Sequence, residues 1–309
     1  MYVALWCVGG GNILIRPIMG EGSHYMVVKV IATELVNRGH NVTMLVQDRY
    51  GEKLKATAED KLFNFEFHKS NFTHDEMKNL LQNTTNAGLK GKYYFMKYQV
   101  NLRTSDHFQR LVSECDNLIG DVELFTKLRN SKFDVALVDG SLAGVSMGCP
   151  IMQFLGAPYV VLSLTFTIQS TFSFANRMPF NPSYVPDMTT DLGDNMSFVE
   201  RLKNVATSIC LACMVDVFHT RPLEKLKASN EHLSDVSMLY TDAELWLINT
   251  HFALDYPRPL LPNTVTVGGL TTKDAKPLNN VSLIILFKRA LQKEAVFKSN
   301  MRRYGHCYF

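Results

Sequence analysis

The stretch "NILIRPIMGEGSHYMVVKVIATELVNRGHNVTMLV", residues 12–46, decides how the rest of the chain is read. Asn12 to Ile18 is apolar and β-prone, and Pro17 marks its end, because proline cannot donate to a sheet ladder. From Tyr25 to Arg38 the residues Val27, Val28, Ile31, Leu35 and Val36 fall on one face at helical spacing. Gly39 is a helix-stopping residue, and "NVTMLV" returns to a β-rich run. Strand, helix and strand so close together make a βαβ unit, whose two strands are parallel and connected right-handedly.

Outward from this unit the alternation continues. A third strand is expected at Phe63 to Phe67, then a long, more polar helical stretch from His74 to Arg129. Val122, Phe125 and Leu128 are read as the buried side of its last helix. Further strands are expected at 133–139 ("FDVALVD"), 156–164 ("GAPYVVLSL"), 243–249 ("AELWLIN") and 263–270 ("NTVTVGGL"). The fold class is therefore α/β, a Rossmann-like, doubly wound and mostly parallel sheet. Between the fifth and sixth strands lies an aromatic- and proline-rich segment, 166–204, with Phe166, Phe172, Phe174, Phe180 and Tyr184. A segment of this kind above a sheet is a natural wall for an apolar ligand, or else a cover for the helices beneath it.

Composition bounds the function. The chain has 309 residues, 46% hydrophobic and 20% charged, enough to bury a full core. Residues 279–309 hold Lys288, Arg289, Lys293, Lys298, Arg302 and Arg303 against Glu294 alone, a net +5. The total is +3, so the body is slightly acidic and nucleic acid is excluded as a partner. Cys210 and Cys213 form a C-x-x-C inside the apolar run "SICLACMV" and are read as a buried core pair. The start, residues 1–11, reads as a remnant or a short signal-like segment. Five Asn-x-Ser/Thr sequons stand at Asn41, Asn71, Asn83, Asn195 and Asn280. Asn41 opens a strand and is a poor acceptor, whereas the others fall in expected loops or in the tail. These features lean towards the secretory pathway, and no apolar run approaches the roughly 20 residues of a membrane span.

Two readings compete at the mouth of the first βα unit. Gly20 and Gly22 supply G-x-G after strand 1, and Asp48 stands at the end of strand 2, as in a dinucleotide site. Tyr25, however, occupies the third glycine position, where its bulk obstructs close helix–sheet packing. In the alternative, strands 1 and 4 are neighbours in a 3-2-1-4-5 sheet, so their carboxyl ends flank the ligand crevice. His24 follows strand 1 and Asp139 closes strand 4, so residues 115 apart would meet there. A carboxylate beside a histidine fixes its tautomer and stabilises the imidazolium. Asp139 also suits the N-cap of a following helix. The other histidines show neither H-x₃-H nor H-E-x-x-H spacing, and no metal site is expected.

Several stretches taken together resemble the UDP-glucuronosyltransferases. They are "GSHYMVVKVIATELVNRGHNVTMLV", "KLRNSKFDVALVDG", "PSYVPDMTTDLGDNMSFVERLKN" and "AELWLINTHFALDYPRPLLPNTVTVGGLTTKDAKPL", and they run in family order. The resemblance implies the acceptor-binding, amino-terminal half of a GT-B fold over residues 12–278. It implies catalysis by His24 as base, oriented by Asp139, with Ser23, Tyr25, Phe166 and Phe172 on the acceptor side. The implied reaction is inverting transfer of a hexosyl or glucuronosyl group from a UDP-sugar, UDP-glucuronic acid first, to a small lipophilic hydroxyl compound. No cofactor or metal is implied beyond that co-substrate. The family's donor-binding domain, with its W-x-P-Q-type start and T-H-G-G segment, does not follow "AKPL", and 279–309 reads as a divergent basic tail of little order. This chain alone is therefore expected to be inactive, with UDP-sugar bound only when the second domain is supplied. The alternative is a non-catalytic partner in a hetero-oligomer with full-length relatives. The implied location is the luminal side of the endoplasmic reticulum, without a transmembrane anchor in this chain.

Overall fold

A computed structural model describes residues 10–57, 61–90, 97, 101, 105–140, 152, 155–164, 168, 170–215 and 241–274. The chain divides into two compact units, Met1–Thr271 and Thr272–Phe309, and the elements below all belong to the first. Phe166, the tail at 279–309 and Asn280 lie outside the described residues.

The elements run β1 (Asn12–Arg16), α1 (Gly22–Asn37), β2 (Asn41–Gln47), α2 (Gly51–Ala56), β3 (Asn64–His68), α3 (His74–Leu89) and α4 (Asp106–Gly120). They continue with α5 (Val122–Asn130), β4 (Val135–Asp139), β5 (Tyr159–Ser163), α6 (Ser170–Ala175), α7 (Phe198–Val215), β6 (Leu245–Ile248) and β7 (Thr264–Thr266). The strands form one seven-stranded sheet in the order β3-β2-β1-β4-β5-β6-β7. Every pairing is parallel. The expected doubly wound topology, with β1 beside β4, is the one observed.

Local chemistry sets the element ends. After α1, the His40 N–H donates to the Leu35 carbonyl at 3.1 Å and the Gly39 N–H to that of Val36 at 2.9 Å. This is a Schellman close, and Gly39 takes the positive φ of 86° that it demands. Thr73 and Glu76 form a capping box at the start of α3. Asp121 caps α5 by accepting from the Leu124 N–H at 3.0 Å. That cap makes Val122 the first helical residue and turns it to solvent at 74% exposure, so Leu124 and Leu128 are the buried side instead.

The pleat sorts side chains into two layers. Leu14, Leu45, Ala136, Val138 and Val161 face α4 and α5, meeting Leu118, Leu124 and Leu128. Ile13, Ile15, Met44, Val46, Leu137 and Leu162 face α1, meeting Tyr25, Val28 and Ala32. Each layer buries an apolar interface, the main favourable contribution to folding. The aromatic-rich segment adds a small third cluster, in which Ile168 and Met178 pack with Ile248. Phe174 and Phe180 pair there at a centroid distance of 5.0 Å.

Helix α7 reverses the usual arrangement. Its inward residues include Asn204 and Ser208, both fully buried, while Phe198, Val199, Leu202 and Ile209 are exposed. Cys210 and Cys213 are exposed free thiols, so they are not the buried pair expected from the apolar run. The helix turns this way because Asn204 serves the loop before it. Its amide donates to the Pro182 and Val185 carbonyls and accepts from the Asp187 N–H, each at 2.8 Å.

Candidate active site

The site is assembled at the carboxyl ends of β1 and β4. Alternation along β4 puts Val135 and Leu137 on the α1 face, so Asp139 leaves the sheet on that same face. Register pairs Arg16 of β1 with Val138, which brings the end of β1 alongside Asp139. The turn between β1 and α1 must then be tight. A side chain at Gly20 would sit 2.7 Å from Val46 and 2.8 Å from Tyr50, and Gly22 has φ of +81°. Both glycines are thus explained by close approach and by positive φ, without a nucleotide phosphate to accommodate.

The first turn of α1 then carries His24 over Asp139. His24 Nδ1 lies 2.9 Å from Asp139 Oδ2, with side-chain exposures of 23% and 0%. A carboxylate only accepts, so Nδ1 carries the hydrogen and Nε2 is left as the basic nitrogen. Burial pulls the histidine towards neutrality, while the hydrogen bond and charge of Asp139 pull the other way and prevail, raising its pKa above the ordinary value of 6.5. The pair is therefore an oriented base whose protonated form is stabilised.

The remaining expected site residues fall in different places. Ser23 is exposed beside His24. Tyr25 belongs to the core instead. Residues 25, 28 and 32 share the sheet-facing side of α1, and the Tyr25 hydroxyl reaches the Met44 sulfur at 3.8 Å. Its ring fills the space that a third glycine would leave, so the defective dinucleotide fingerprint is a packing feature. Phe172 belongs to α6. Asp48, the candidate ribose acid, is committed to the chain, accepting from the Ser70 N–H at 3.0 Å.

Polar groups that sequence reading passed over line the same end of the sheet. Glu21, the residue before α1, contacts Lys53 and lies 3.7 Å from His74 Nε2 at the mouth of the turn. Arg49 and Glu114 form a buried pair at 2.7 Å, and Ser70 Oγ also donates to Glu114 at 2.9 Å. Arg16, Gln47 and His68 are buried nearby, at the ends of their strands. Burial and the positive charge of Arg16 depress the His68 pKa to about 3, so this imidazole is neutral. No periodic signal marks these residues, since their partners lie tens of residues away. Among the described residues no group of three or more His, Cys, Asp or Glu side chains is placed to hold a metal. A cavity of about 710 Å³ opens at the opposite end of the sheet, beside Asn12, Asn41, Asn64 and Phe133, away from His24.

Comparison with known proteins adds an independent line. The family model described as UDP-glucoronosyl and UDP-glucosyl transferase matches residues 11–287. UDP-glucuronosyltransferase 2A1 of Rattus norvegicus is 31% identical over 290 residues, covering 87% of this chain and 51% of its own length. UDP-glucuronosyltransferase 2B1 of the same species is 33% identical over 283 residues, covering 87% and 50%. A solved structure of Phytolacca americana UGT2 complexed with UDP-2fluoro-glucose and pterostilbene is 13% identical, with a TM-score of 0.45, and covers 86% of this chain and 55% of that one. The chain spans about half the length of the curated relatives it matches. With the family model matching most of its residues, the chain belongs to the UDP-glucoronosyl and UDP-glucosyl transferase family.

Proposed function

We propose that this chain is the acceptor-binding half of a GT-B glycosyltransferase that moves glucuronic acid, or a related hexose, from a UDP-sugar to a small lipophilic hydroxyl compound. The observation that carries the reading is the 2.9 Å contact between His24 Nδ1 and Asp139 Oδ2 at the rim of the sheet. His24 Nε2 takes the acceptor's hydroxyl proton. The freed oxygen attacks the anomeric carbon from the face opposite the diphosphate, the bond from that carbon to the diphosphate oxygen breaks, and UDP departs with the electron pair. Configuration inverts. Asp139 holds the imidazole in the useful tautomer and stabilises its cation once the proton has arrived. Ser23 and the aromatic segment bearing Phe166 and Phe172 supply the acceptor side, and Tyr25 acts indirectly by seating α1 on the sheet. Orientation of the two substrates supplies a large share of the rate. The reaction is assigned to the luminal side of the endoplasmic reticulum. Among the described residues no helix is long and apolar enough to cross a membrane.

The test is a chimera in which residues 12–278 replace the matching half of the rat 2A1 relative, assayed with UDP-glucuronic acid and a panel of phenols. We expect transfer, and we expect His24→Ala to lower kcat by about 10²- to 10⁴-fold, the range for a lost general base. Transfer at an undiminished rate without His24 ends the proposal. A chimera that transfers nothing, while the 309-residue chain alters the rate of a co-expressed full-length relative, favours the non-catalytic reading instead.

A further inference from the structure

The sequons are a feature that the reaction does not absorb, and the fold separates them sharply. Asn71 is half-buried, and its amide nitrogen donates to the Arg110 carbonyl at 3.0 Å and to Ser113 Oγ at 2.8 Å. Its amide oxygen accepts from Asn117 at 2.7 Å, so the whole group ties the β3–α3 connection to α4. A sugar on that nitrogen would remove one hydrogen bond and force a bulky group between loop and helix. Asn41 bridges Asn12 and Asn64 across three strand ends, at 3.0 and 2.7 Å. Asn83, expected in a loop, is exposed but lies inside the regular helix α3 instead. Asn195 differs from all of these. It is exposed, stands in a bend just before α7, and makes no hydrogen bond to the described residues.

We propose that Asn195 carries an N-linked glycan and that Asn71 does not. An attachment asparagine belongs on an open surface loop, where the sugar displaces only water. The inference rests on the luminal location proposed above. The sequon's hydroxyl residue, Ser197, also caps α7. Its Oγ accepts from the Glu200 N–H at 3.4 Å and donates to the Glu200 carboxylate at 2.8 Å. The helix start therefore holds the attachment loop at the surface. The location also has a use. Phe198, Val199 and Leu202 are 79%, 72% and 61% exposed on the first turns of α7. A glycan rooted three residues before Phe198 shields that apolar surface from self-association.

The experiment is expression of the full chain behind a cleavable secretion signal, with a reporter Asn-Gly-Thr sequon at its end. Soluble monomer is treated with peptide N-glycosidase in heavy-oxygen water and mapped by mass spectrometry. The expected result is heavy-oxygen label at Asn195 and at the reporter, and none at Asn71. Asn195→Gln and Ser197→Ala should both lose one glycan's gel shift, Ser197→Thr should keep it, and Asn195→Gln should raise the aggregated fraction at least twofold. An unlabelled Asn195 beside a labelled reporter, or label at Asn71 in the soluble monomer, overturns the proposal. Because the signal is supplied, that outcome counts against the site and not against the assigned compartment.

Discussion

His24 is held between two opposing influences. Its partial burial favours the neutral ring, and the adjacent Asp139 carboxylate favours the cation, which wins. Two consequences have definite signs. In the proposed reaction the ring must be neutral to accept a proton, so the acidic limb of the kcat/KM profile should lie above the ordinary histidine value. Asp139→Asn removes the raising influence and leaves burial, so the limb should move to lower pH while the plateau falls by about 10²- to 10⁴-fold. A pH–rate series on the chimera and its Asp139→Asn variant measures both. An unmoved limb would mean that Asp139 does not set the charge of His24. For stability, the folded-state pKa is raised, so the pair contributes fully below 6.5 and progressively less as pH rises through the folded value.

At the scale of elements, the βαβ unit of residues 12–46 was legible because apolar period and helix-stopping glycine agree with each other. Helix α7 was not. Its apolar run "SICLACMV" reads as core, yet Cys210 and Cys213 are exposed, as are Phe198, Leu202 and Ile209, while Asn204 and Ser208 face inward. The inversion follows from hydrogen-bond demand: the bends between Pro182 and Asp187 carry backbone groups that need partners, and Asn204 is the side chain that reaches them. Asn204→Ala should therefore cost about 1–3 kcal/mol, the penalty for leaving such buried groups unsatisfied. Thermal unfolding gives the loss, and faster amide exchange confined to residues 182–190 gives its location. A change spread evenly over the sheet would argue against the assigned role.

For the molecule as a whole, the acid response should be governed by a buried histidine outside the His24–Asp139 pair. His68 is 1% exposed at the end of β3, and its pKa is depressed to about 3 from 6.5. The unfolded chain takes up a proton below pH 6.5 that the folded chain refuses, so stability falls as pH falls through this window. One such proton corresponds to about 1.4 kcal/mol per pH unit. Between pH 6 and pH 5 the His24 contribution is nearly level, and the difference between the chain and its His68→Gln variant isolates His68. Denaturant titrations of the 309-residue chain should show that slope, and His68→Gln should remove most of it. Equal slopes for the two proteins would mean that the imidazole is reached by water.

The sequence by itself determined the alternation of elements, the parallel topology and the pairing of His24 with Asp139. Strand order is a consequence of short right-handed crossovers, and the end of a strand can be read from its residues. Tertiary structure alone decided that Gly20 answers to Val46 and Tyr50, that Tyr25 fills the core, and that Arg49 meets Glu114. It also decided which face of α7 is wet. These are contacts between residues far apart in the chain, where a side chain's burial depends on what the partner element needs. Local pattern carries no record of that need.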